Sequence, residues 1–511
     1  MNENNQIRGL FATAILSRIR ALDYLRRSEL IASVCVKQIP TESVPEYLQS
    51  EILEKDRTNY SKPNFAKNHR LIERAMLEAQ HWYDRGIHVS SPTESQMFRT
   101  CVDISSVIFT LGDLGILNNP TAMILNSRKS RSIGSNTPWL KNTVKLTRYA
   151  MKNQWTMISS YGSISYLMVA WLARFSGLVM VCDSPLPFMI DGMHKDEFLK
   201  EFEDIFRMEK SLFLSGFSPG RLPEIKQRWR LRDQLAASLS DILIPCEITP
   251  SGNMSEILRV ARVSGKIVVK NFPGHEQEPS LAKKSTKTIT TGPVAQQSEV
   301  VPKQNKFDPF SVSGAARPKE ILLTHYTRAC HGPWPGQTWS DYLRSLEYGD
   351  SGCSHTAFDT LRRIIQEKRI RSSSKWVRGN SPVVCLTEQK PEQFHVICKW
   401  RRGLMRKTFE PYGIAFSRNC LLRKGARKVT YIREDKFKSL PKESKVFFQL
   451  ISCSDLNWFE EKEWRIVNDL DFSTIDSSDW FAIVPDEEEA RGLVNQIGSG
   501  EIRVLVTHYK R

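Results

Sequence analysis

The sequence predicts an α/β domain built on a parallel sheet, preceded by helices and joined by a linker to a separate α+β domain. Between residues 72 and 275, short apolar runs alternate with segments of helical spacing, which is the pattern of βαβ units. Beyond residue 318, apolar strands follow one another with few helices between them. That second pattern is typical of a compact domain with a mainly antiparallel sheet.

Composition limits the function classes. A chain of 511 residues with 40% hydrophobic residues is long enough for about three domains with packed cores. The net charge of +17 favours polyanions, such as nucleic acid, as partners. The ten cysteines show neither a disulfide framework nor the spacing of a zinc site. We therefore expect reduced thiols, a cytoplasmic location and no metal.

Residues 1–71 read as a helical N-terminal region, because Leu10, Ala14 and Ile15 recur at helical spacing. The apolar stretch Ile164–Cys182 approaches membrane-spanning length, but Arg174 interrupts it. It predicts a core helix followed by a buried strand, and no association with a membrane.

Small and polar residues follow several predicted strands of the region 72–275. One strand ends at Asn126 and another at Ser159, and two later loops, Gly216–Gly220 and Thr249–Asn253, are rich in Ser, Gly and Pro. In open α/β sheets, ligands bind at the edge where strands end. Helix N-termini at that edge make phosphate sites.

These segments resemble the DNA-processing protein A (DprA-like) branch of the Rossmann-like SLOG superfamily over residues 72–275. The motifs that carry the resemblance are N-S-R at 126–128, S-S-x-G at 159–162, S-G-F-S-P-G at 215–220, R-D-x-x-A-A-x-L-S-D at 232–241, S-G at 251–252 and K-I-V-V-K-N-F-P-G-H at 266–275. Asn126 and Ser160 stand where the family usually has glycine.

The resemblance implies a Rossmann-like fold that binds nucleic acid, with DNA favoured over RNA, or a nucleotide. The residues that it implies for this binding are Ser127, Arg128, Ser159, Gly162, Arg232, Ser251 and Gly252. A scaffold with an altered phosphate pocket is the alternative, because close approach of a backbone to phosphate usually needs those glycines.

Residues 276–318 are rich in Pro, Ser, Thr, Gln and Lys and lack apolar periodicity, so they predict a flexible linker. In the following domain, 319–511, the most informative run is N-W-F-E-E-K-E-W-R-I-V at 457–467. On a strand, Glu461 and Glu463 would point the same way, as two carboxylates on one face. The alternative is a charged strand entrance whose acids pair with Lys462 or Arg465.

The order of motifs in 319–511 is similar to that of the ADP-ribosyltransferase fold and of domains in bacterial abortive-infection proteins. The motifs are a strand with His325, Tyr326 and Thr327, a second strand ending at Thr387, Y-G-I-A-F at 412–416, and the late E-x-E. The resemblance implies that NAD is the substrate.

It also implies roles for single residues. Glu463 would stabilise the oxocarbenium-like transition state and Glu461 would orient or deprotonate the acceptor, with Glu460 as an alternative second acid. His325 and Thr327 would hold the adenosine-side ribose or phosphate, and Tyr326 and Tyr412 are candidates to stack on nicotinamide. Thr387 is a further residue implied to bind the cofactor.

Together these resemblances predict a bacterial antiphage protein. Its DprA-like domain would sense nucleic acid or a nucleotide, and its C-terminal domain would transfer ADP-ribose from NAD to a nucleic acid or protein, with a toxic outcome for the cell. Two alternatives stay open: a non-enzymatic mediator that binds single-stranded DNA, and an NAD glycohydrolase. The sequence leaves the acceptor, the trigger and homo-oligomerisation open.

Overall fold

The structure is a computed structural model. It describes residues 3–19, 22–55, 68–93, 96–101, 104–127, 133–134, 136–186, 189, 204–269, 321–330, 332–350, 353–374, 377, 381–401, 406–441, 444–450, 458–497 and 502–507. The predicted linker 276–318 and the predicted nucleic-acid ligand Arg128 lie outside the described residues.

The described residues form two compact units. The first contains the described residues up to 127 together with 136–269 and 332–350, and the second contains 133–134, 321–330 and the described residues from 353 onward. Residues 332–350 lie inside the range predicted for the C-terminal domain, yet they pack with the first unit.

The first unit is built on a sheet of eight described strands. These are β1 Ile87–Ser90, β2 Ile108–Gly112, β3 Thr121–Asn126, β4 Thr156–Ser159, β5 Leu178–Val181, β6 Ser211–Ser215, β7 Ile242–Glu247 and β8 Ile267–Val268. Their order is β1-β2-β6-β5-β4-β3-β7-β8, and neighbours from β6 to β8 run parallel. The run β5-β4-β3-β7-β8 has the Rossmann order 3-2-1-4-5, so the predicted α/β class is confirmed.

One edge of this sheet departs from the parallel arrangement. Strand β2 runs antiparallel to β6, and β1 runs antiparallel to β2. A parallel neighbour needs a crossover, usually through an α-helix, and in the described residues only a short 3-10 helix, Gln96–Cys101, stands between β1 and β2. The two edge strands therefore turn back.

Helices flank the strands as the apolar spacing predicts. They are α1 Glu3–Ser17, α2 Tyr24–Val36, α3 Val44–Lys55, α4 His69–Asp84, α5 Pro138–Lys152, α6 Ile164–Ala173, α7 Ile225–Leu239, α8 Asn253–Val263 and α9 Trp339–Tyr348. The stretch Ile164–Cys182 divides into buried α6 and buried β5, as predicted. Among the described residues, no helix is both long and apolar enough to cross a membrane.

The predicted helical region at the N-terminus packs directly against the sheet. The Gln6 side chain accepts a hydrogen bond of 2.6 Å from the Val89 backbone in β1. A Cβ at Gly9 would lie 2.4 Å from the Val89 side chain, so glycine allows α1 to lie close to this strand. Leu10, Ala14 and Ile15 are buried, as their spacing predicts.

The second unit contains the predicted antiparallel sheet. Its described strands are β9 Leu322–Tyr326, β10 Arg369–Ile370, β11 Val383–Thr387, β12 Trp400–Arg401, β13 Arg406–Lys407, β14 Gly413–Ser417, β15 Arg427–Lys428, β16 Thr430–Ile432, β17 Phe448–Leu450, β18 Glu463–Val467, β19 Leu470–Asp471, β20 Trp480–Val484 and β21 Val504–Val506. The main sheet has the order β15-β18-β11-β9-β14-β20-β21, and only its β20–β21 pair is parallel among the described pairs.

The two faces of this main sheet are covered differently. Its helices are α10 Ala357–Glu367, α11 Phe394–Ile397, α12 Arg418–Arg423, α13 Glu434–Ser439 and α14 Glu487–Ile497. The larger apolar core joins Leu323, Ile414 and Phe416 to residues of α10, α12 and α14. On the opposite face a smaller core joins Tyr326 and Ala415 to α11. The first of these is called the core face below, and the second the α11 face.

Candidate functional site

The first candidate site lies where β3 and β7 end. From β3 the chain continues to β4, β5 and β6 on one side, and it then crosses back to β7 on the other side of β3. The carboxyl ends of β3 and β7 therefore form a topological switch point. The Ser127 N–H donates to the Glu247 carbonyl at 2.8 Å, and the Thr249 N–H donates to the Ser127 hydroxyl at 2.7 Å. These bonds hold the two strand ends together.

The loop that follows β7 is open to solvent. Thr249, Pro250 and Ser251 are exposed, and Gly252 is the N-cap of α8. The structure thus brings Ser127, Ser251 and Gly252 to one edge, in front of a helix N-terminus. The N–H groups and the dipole of a helix N-terminus favour an anion.

A buried polar atom lies under this edge. The Asn126 side chain is 4% exposed, and its amide donates to the Thr143 hydroxyl at 2.6 Å. Within the described part of the chain, its Oδ1 atom has no hydrogen-bond partner. The edge therefore retains an unused acceptor at the position where the resembling family has glycine.

Arg232 does not face this edge as a phosphate ligand would. It is 1% exposed, and its guanidinium bonds Asp233 Oδ1 at 2.6 and 2.9 Å and the Tyr161 carbonyl at 3.2 Å. Asp233 also accepts from the Tyr166 hydroxyl and from the Asn253 amide, both at 2.9 Å. Because Arg232 is bonded to the neighbouring Asp233 carboxylate, it is not available at the edge as a phosphate ligand. The bonds to this carboxylate instead link α6, α7 and α8.

The remaining predicted residues of this unit lie at the end of β4. Ser159 is 1% exposed, and its hydroxyl donates to the Tyr166 carbonyl at 2.7 Å, so it supports α6. Gly162 has a φ of 88° and open space where a Cβ would stand. Its conformation requires glycine, or costs strain with another residue.

The loop 216–220, which the sequence places beside the ligand edge, is covered by the N-terminal helices. Arg27 is buried and donates to the Arg221 carbonyl. Gly220 has a φ of 113°, and a Cβ there would lie 2.9 Å from the Arg27 guanidinium. The Tyr24 and Phe217 rings pack 5.4 Å apart. Of the two predicted loops, the one at 249–253 is therefore the open one.

The second candidate site is in the second unit, at the start of β18. Arg465 bonds both carboxylate oxygens of Glu463, at 2.8 and 3.2 Å. It also donates to the Val446 carbonyl at 2.7 Å and to the Gln449 side chain at 3.1 Å. Glu463 is therefore paired with Arg465. This is the alternative that the sequence left open for the acids of this run.

Glu461 does not share a strand with Glu463, and that prediction is wrong. Glu461 ends a 3-10 helix that begins at Trp458, and Lys462 has a φ of 43°, in the left-handed region. The alternation of side chains along a strand therefore starts only after Lys462. The Thr387 hydroxyl donates to the Glu461 carbonyl, and the Glu460 carboxylate pairs with Lys399.

Polar groups accompany Glu463 on the α11 face. Glu463, Thr387 and Thr324 are register partners across β18, β11 and β9, and Tyr326 lies two residues along β9. Within the described residues, Thr324 Oγ1, Tyr326 OH and Gln389 Oε1 are buried without hydrogen-bond partners. The sequence reasoning did not identify Thr324 or Gln389. The sequence offers a signal for Thr324 alone, since it alternates with Tyr326 along a strand.

The other predicted NAD ligands lie elsewhere. His325 points to the core face, where its Nδ1 lies 2.9 Å from the Cys385 carbonyl, and burial lowers its pKa. The Tyr412 hydroxyl donates to Glu489 at 2.8 Å. The Thr327 hydroxyl donates to a backbone carbonyl of α10 at 2.9 Å. The structure therefore separates the predicted set onto two faces of the sheet.

Comparison with family models gives no match, and neither does comparison with curated protein sequences. Among solved structures, the chain is similar to DNA processing protein A from Helicobacter pylori, described for its single-stranded DNA binding mode, with 19% identity, 36% of this chain and 79% of that chain covered, and a TM-score of 0.28. It is also similar to DNA processing protein A from Streptococcus pneumoniae, with 15% identity, 52% and 86% covered, and a TM-score of 0.32. The functional assignment therefore has to come from the side chains of this chain.

Proposed function

We propose that the first unit is a DprA-like module that binds nucleic acid, DNA in preference to RNA, or a nucleotide, at the switch-point edge. The observation that carries this proposal is the open loop 249–252 at the N-terminus of α8, beside Ser127. A backbone edge of this kind attracts phosphate, and the net charge of +17 favours a polyanion.

Binding of a labelled single-stranded oligonucleotide, followed by anisotropy over a salt series, tests this proposal. Ser251→Glu places a carboxylate at the edge and should weaken binding by roughly tenfold, because it repels phosphate. Ser264→Glu makes the same change at the exposed far end of α8 and is the matched control. Equal affinities of the two variants would contradict the edge as the binding site.

A second candidate function is the transfer of ADP-ribose from NAD by the second unit. What favours it is the set of buried polar atoms without partners in the described part of the second unit, which also holds Glu463. These atoms are Thr324 Oγ1 and Tyr326 OH on the α11 face, and Gln389 Oε1 in the segment after β11. Ribose hydroxyls could satisfy such atoms. Glu463, held in orientation by Arg465, would then face positive charge developing on the ribose.

In that reaction the bond between ribose C1′ and the nicotinamide nitrogen breaks, and nicotinamide leaves with the electron pair. A bond from C1′ to an acceptor oxygen or nitrogen forms, and the acceptor proton passes to a base, for which Glu461 and Glu460 are the alternatives. Joined to a nucleic-acid sensor, such a toxic activity would serve defence against phage.

Nicotinamide release from NAD by the whole chain, with and without single-stranded DNA, tests this second function. We expect release by the wild type and its loss in Glu463→Gln, whereas Glu487→Gln, a surface acid paired with Arg491, should keep it. Mass spectrometry then separates transfer to an acceptor from hydrolysis to ADP-ribose. A folded wild type that releases no nicotinamide, either with or without single-stranded DNA, would contradict the proposal.

A further inference from the structure

Helix α9 contributes a surface to the first unit that the function proposed above does not use. The Trp171 indole N–H in α6 donates to the Ser340 hydroxyl in α9 at 2.8 Å. The Glu347 carboxylate, whose side chain is 5% exposed, forms an ion pair with Arg148 of α5. These contacts fix α9 alongside α5 and α6 and create a groove between α9 and α5.

One wall of this groove is a row of cations. Lys141, Lys145 and Arg148 follow one another on α5 at intervals of four and three residues, and all three are exposed. They lie on one side of the helix, with about 4.5 to 6 Å of helix rise between successive residues. Helix α5 contains no acidic residue, while its opposite side is buried in the unit.

The lining of the groove combines cations with apolar side chains, which suits an anionic ligand that also has an apolar part. The volume of the groove is about 310 Å³, and apolar side chains of Leu140, Val144 and Leu346 lie among the three cations. Tyr348, at the end of α9, borders the groove and is 69% exposed. The carboxylate in the lining, Glu347, is already engaged by Arg148.

Beyond Glu347 the surface stays basic and aromatic. Phe175 is 55% exposed, and the guanidinium groups of Arg174 and Arg207 lie 4.5 and 4.8 Å from its ring centroid. Burial, then the charges of Arg344 on α9 and of Arg207, lower the pKa of Arg174. A basic surface that also presents aromatic rings is the arrangement by which proteins hold unpaired bases and their phosphates.

We propose that the groove between α5 and α9 binds single-stranded nucleic acid, with phosphates on Lys141 and Lys145 and a base stacked on Tyr348. This inference rests on the proposed nucleic-acid function of the first unit but assigns it a separate surface. A duplex offers its phosphates and keeps its bases stacked inside, so it would use the cations and not the ring. An acidic peptide would likewise use the cations alone.

The test uses the full chain and oligonucleotides of equal length, single-stranded and duplex, with a mononucleotide as a further arm. Lys145→Glu should weaken single-strand binding by about tenfold, and Lys141→Glu/Lys145→Glu should also lower the salt slope by about 1 to 2. Lys152→Glu makes the same charge change at an exposed position of α5 outside the groove, and we expect it to weaken single-strand binding less. An equal loss from Lys145→Glu and Lys152→Glu would overturn the assignment to the groove.

Tyr348→Ala separates the possible ligands. It should weaken single-strand binding by about 5- to 150-fold, the range of one stacked base, and leave duplex binding unchanged. An unchanged single-strand affinity, or displacement of the strand by polyglutamate with equal strength in wild type and variant, would overturn stacking in favour of an anion-binding surface. Mononucleotide binding that needs Tyr348 as much as the strand does would show that one base and phosphate suffice.

The two proposals fail in different ways. If Ser251→Glu loses binding while the groove variants bind as the wild type does, the groove proposal is contradicted and the edge proposal is supported. The reverse result supports the groove as the binding site and contradicts the edge. A wild type that binds no oligonucleotide even at low salt contradicts both proposals. Thermal unfolding of each variant checks that the exposed substitutions leave the fold intact.

Discussion

Each unit holds a buried arginine paired with a carboxylate close by in sequence, Arg232 with Asp233 in the first and Arg465 with Glu463 in the second. The side chains of the first pair are 1% and 6% exposed, and those of the second 4% and 14%. Sequence resemblance marked one member of each pair, Arg232 and Glu463, as functional. The two pairs differ in which member makes the additional hydrogen bonds to the rest of the unit.

Asp233 is a junction of the first unit. Its two oxygens accept hydrogen bonds from Arg232, Tyr166 and Asn253, which stand on α7, α6 and α8. In the second unit the arginine is the junction, because Arg465 bonds the chain at 446 and 449 as well as the carboxylate. The first pair therefore links three helices. In the second pair, Arg465 is held by its other bonds and in turn fixes the orientation of the Glu463 carboxylate.

The largest effect we expect comes from breaking the junction in the first unit. Arg232→Met leaves a buried carboxylate without its counter-charge, and such a loss costs about 3–5 kcal/mol of unfolding free energy. Denaturant unfolding, followed by a probe in the first unit, measures it. Arg230→Met removes an exposed arginine from the same helix and should change stability by less than about 0.5 kcal/mol. Similar losses in the two variants would mean that Arg232 is not a cross-link.

These pairs also show where sequence reasoning stops. The alternation of apolar runs predicted strands β3 to β7 and the helices between them, because each element must bury one face. The capture of Arg232 was not predictable, since neighbours one residue apart on a helix do not face each other and Tyr161, Tyr166 and Asn253 are distant in sequence.

The second pair lay closer to prediction. Residues two apart on a strand share a face, so Glu463 and Arg465 could be paired from their spacing. The same rule of alternating faces failed for Glu461, because Lys462 has a left-handed φ and the strand begins only after it. A lysine does not favour that conformation, so the sequence could not predict it. The groove beside α5 was missed because α9 joins the first unit from beyond residue 318.

The asymmetry of the second pair is tested by the difference between two variants, which we expect to be smaller than the effect of Arg232→Met. Arg465→Met should cost about 3–5 kcal/mol, because it strands the carboxylate and two further acceptors. Glu463→Gln should cost about 1–2 kcal/mol, because the amide keeps one acceptor for the guanidinium and the side chain is partly solvated. Unfolding of the two variants, followed in the second unit, measures the difference. Equal costs would make this pair a junction like that of Asp233 and would weaken Glu463 as a presented carboxylate.

The smallest effect concerns pH and a residue next to the second pair. His325 bonds the carbonyl of Cys385, the register partner of Arg465, and burial, then Arg328, lower the pKa of its imidazole. A lowered pKa means that the unfolded chain binds the proton more readily. The contribution of His325 to stability is therefore complete above pH about 6.5 and is lost as pH falls through the folded-state pKa.

We expect the unfolding free energy of the second unit to fall between pH 7 and pH 5.5 by less than about 1.4 kcal/mol per pH unit, the limit for one proton. His325→Asn should remove that slope, because the asparagine amide can donate to the same carbonyl and does not titrate. His395→Asn, which changes an exposed histidine on α11 of the same unit, is the matched control. A slope that survives in His325→Asn would assign the acid sensitivity to another group.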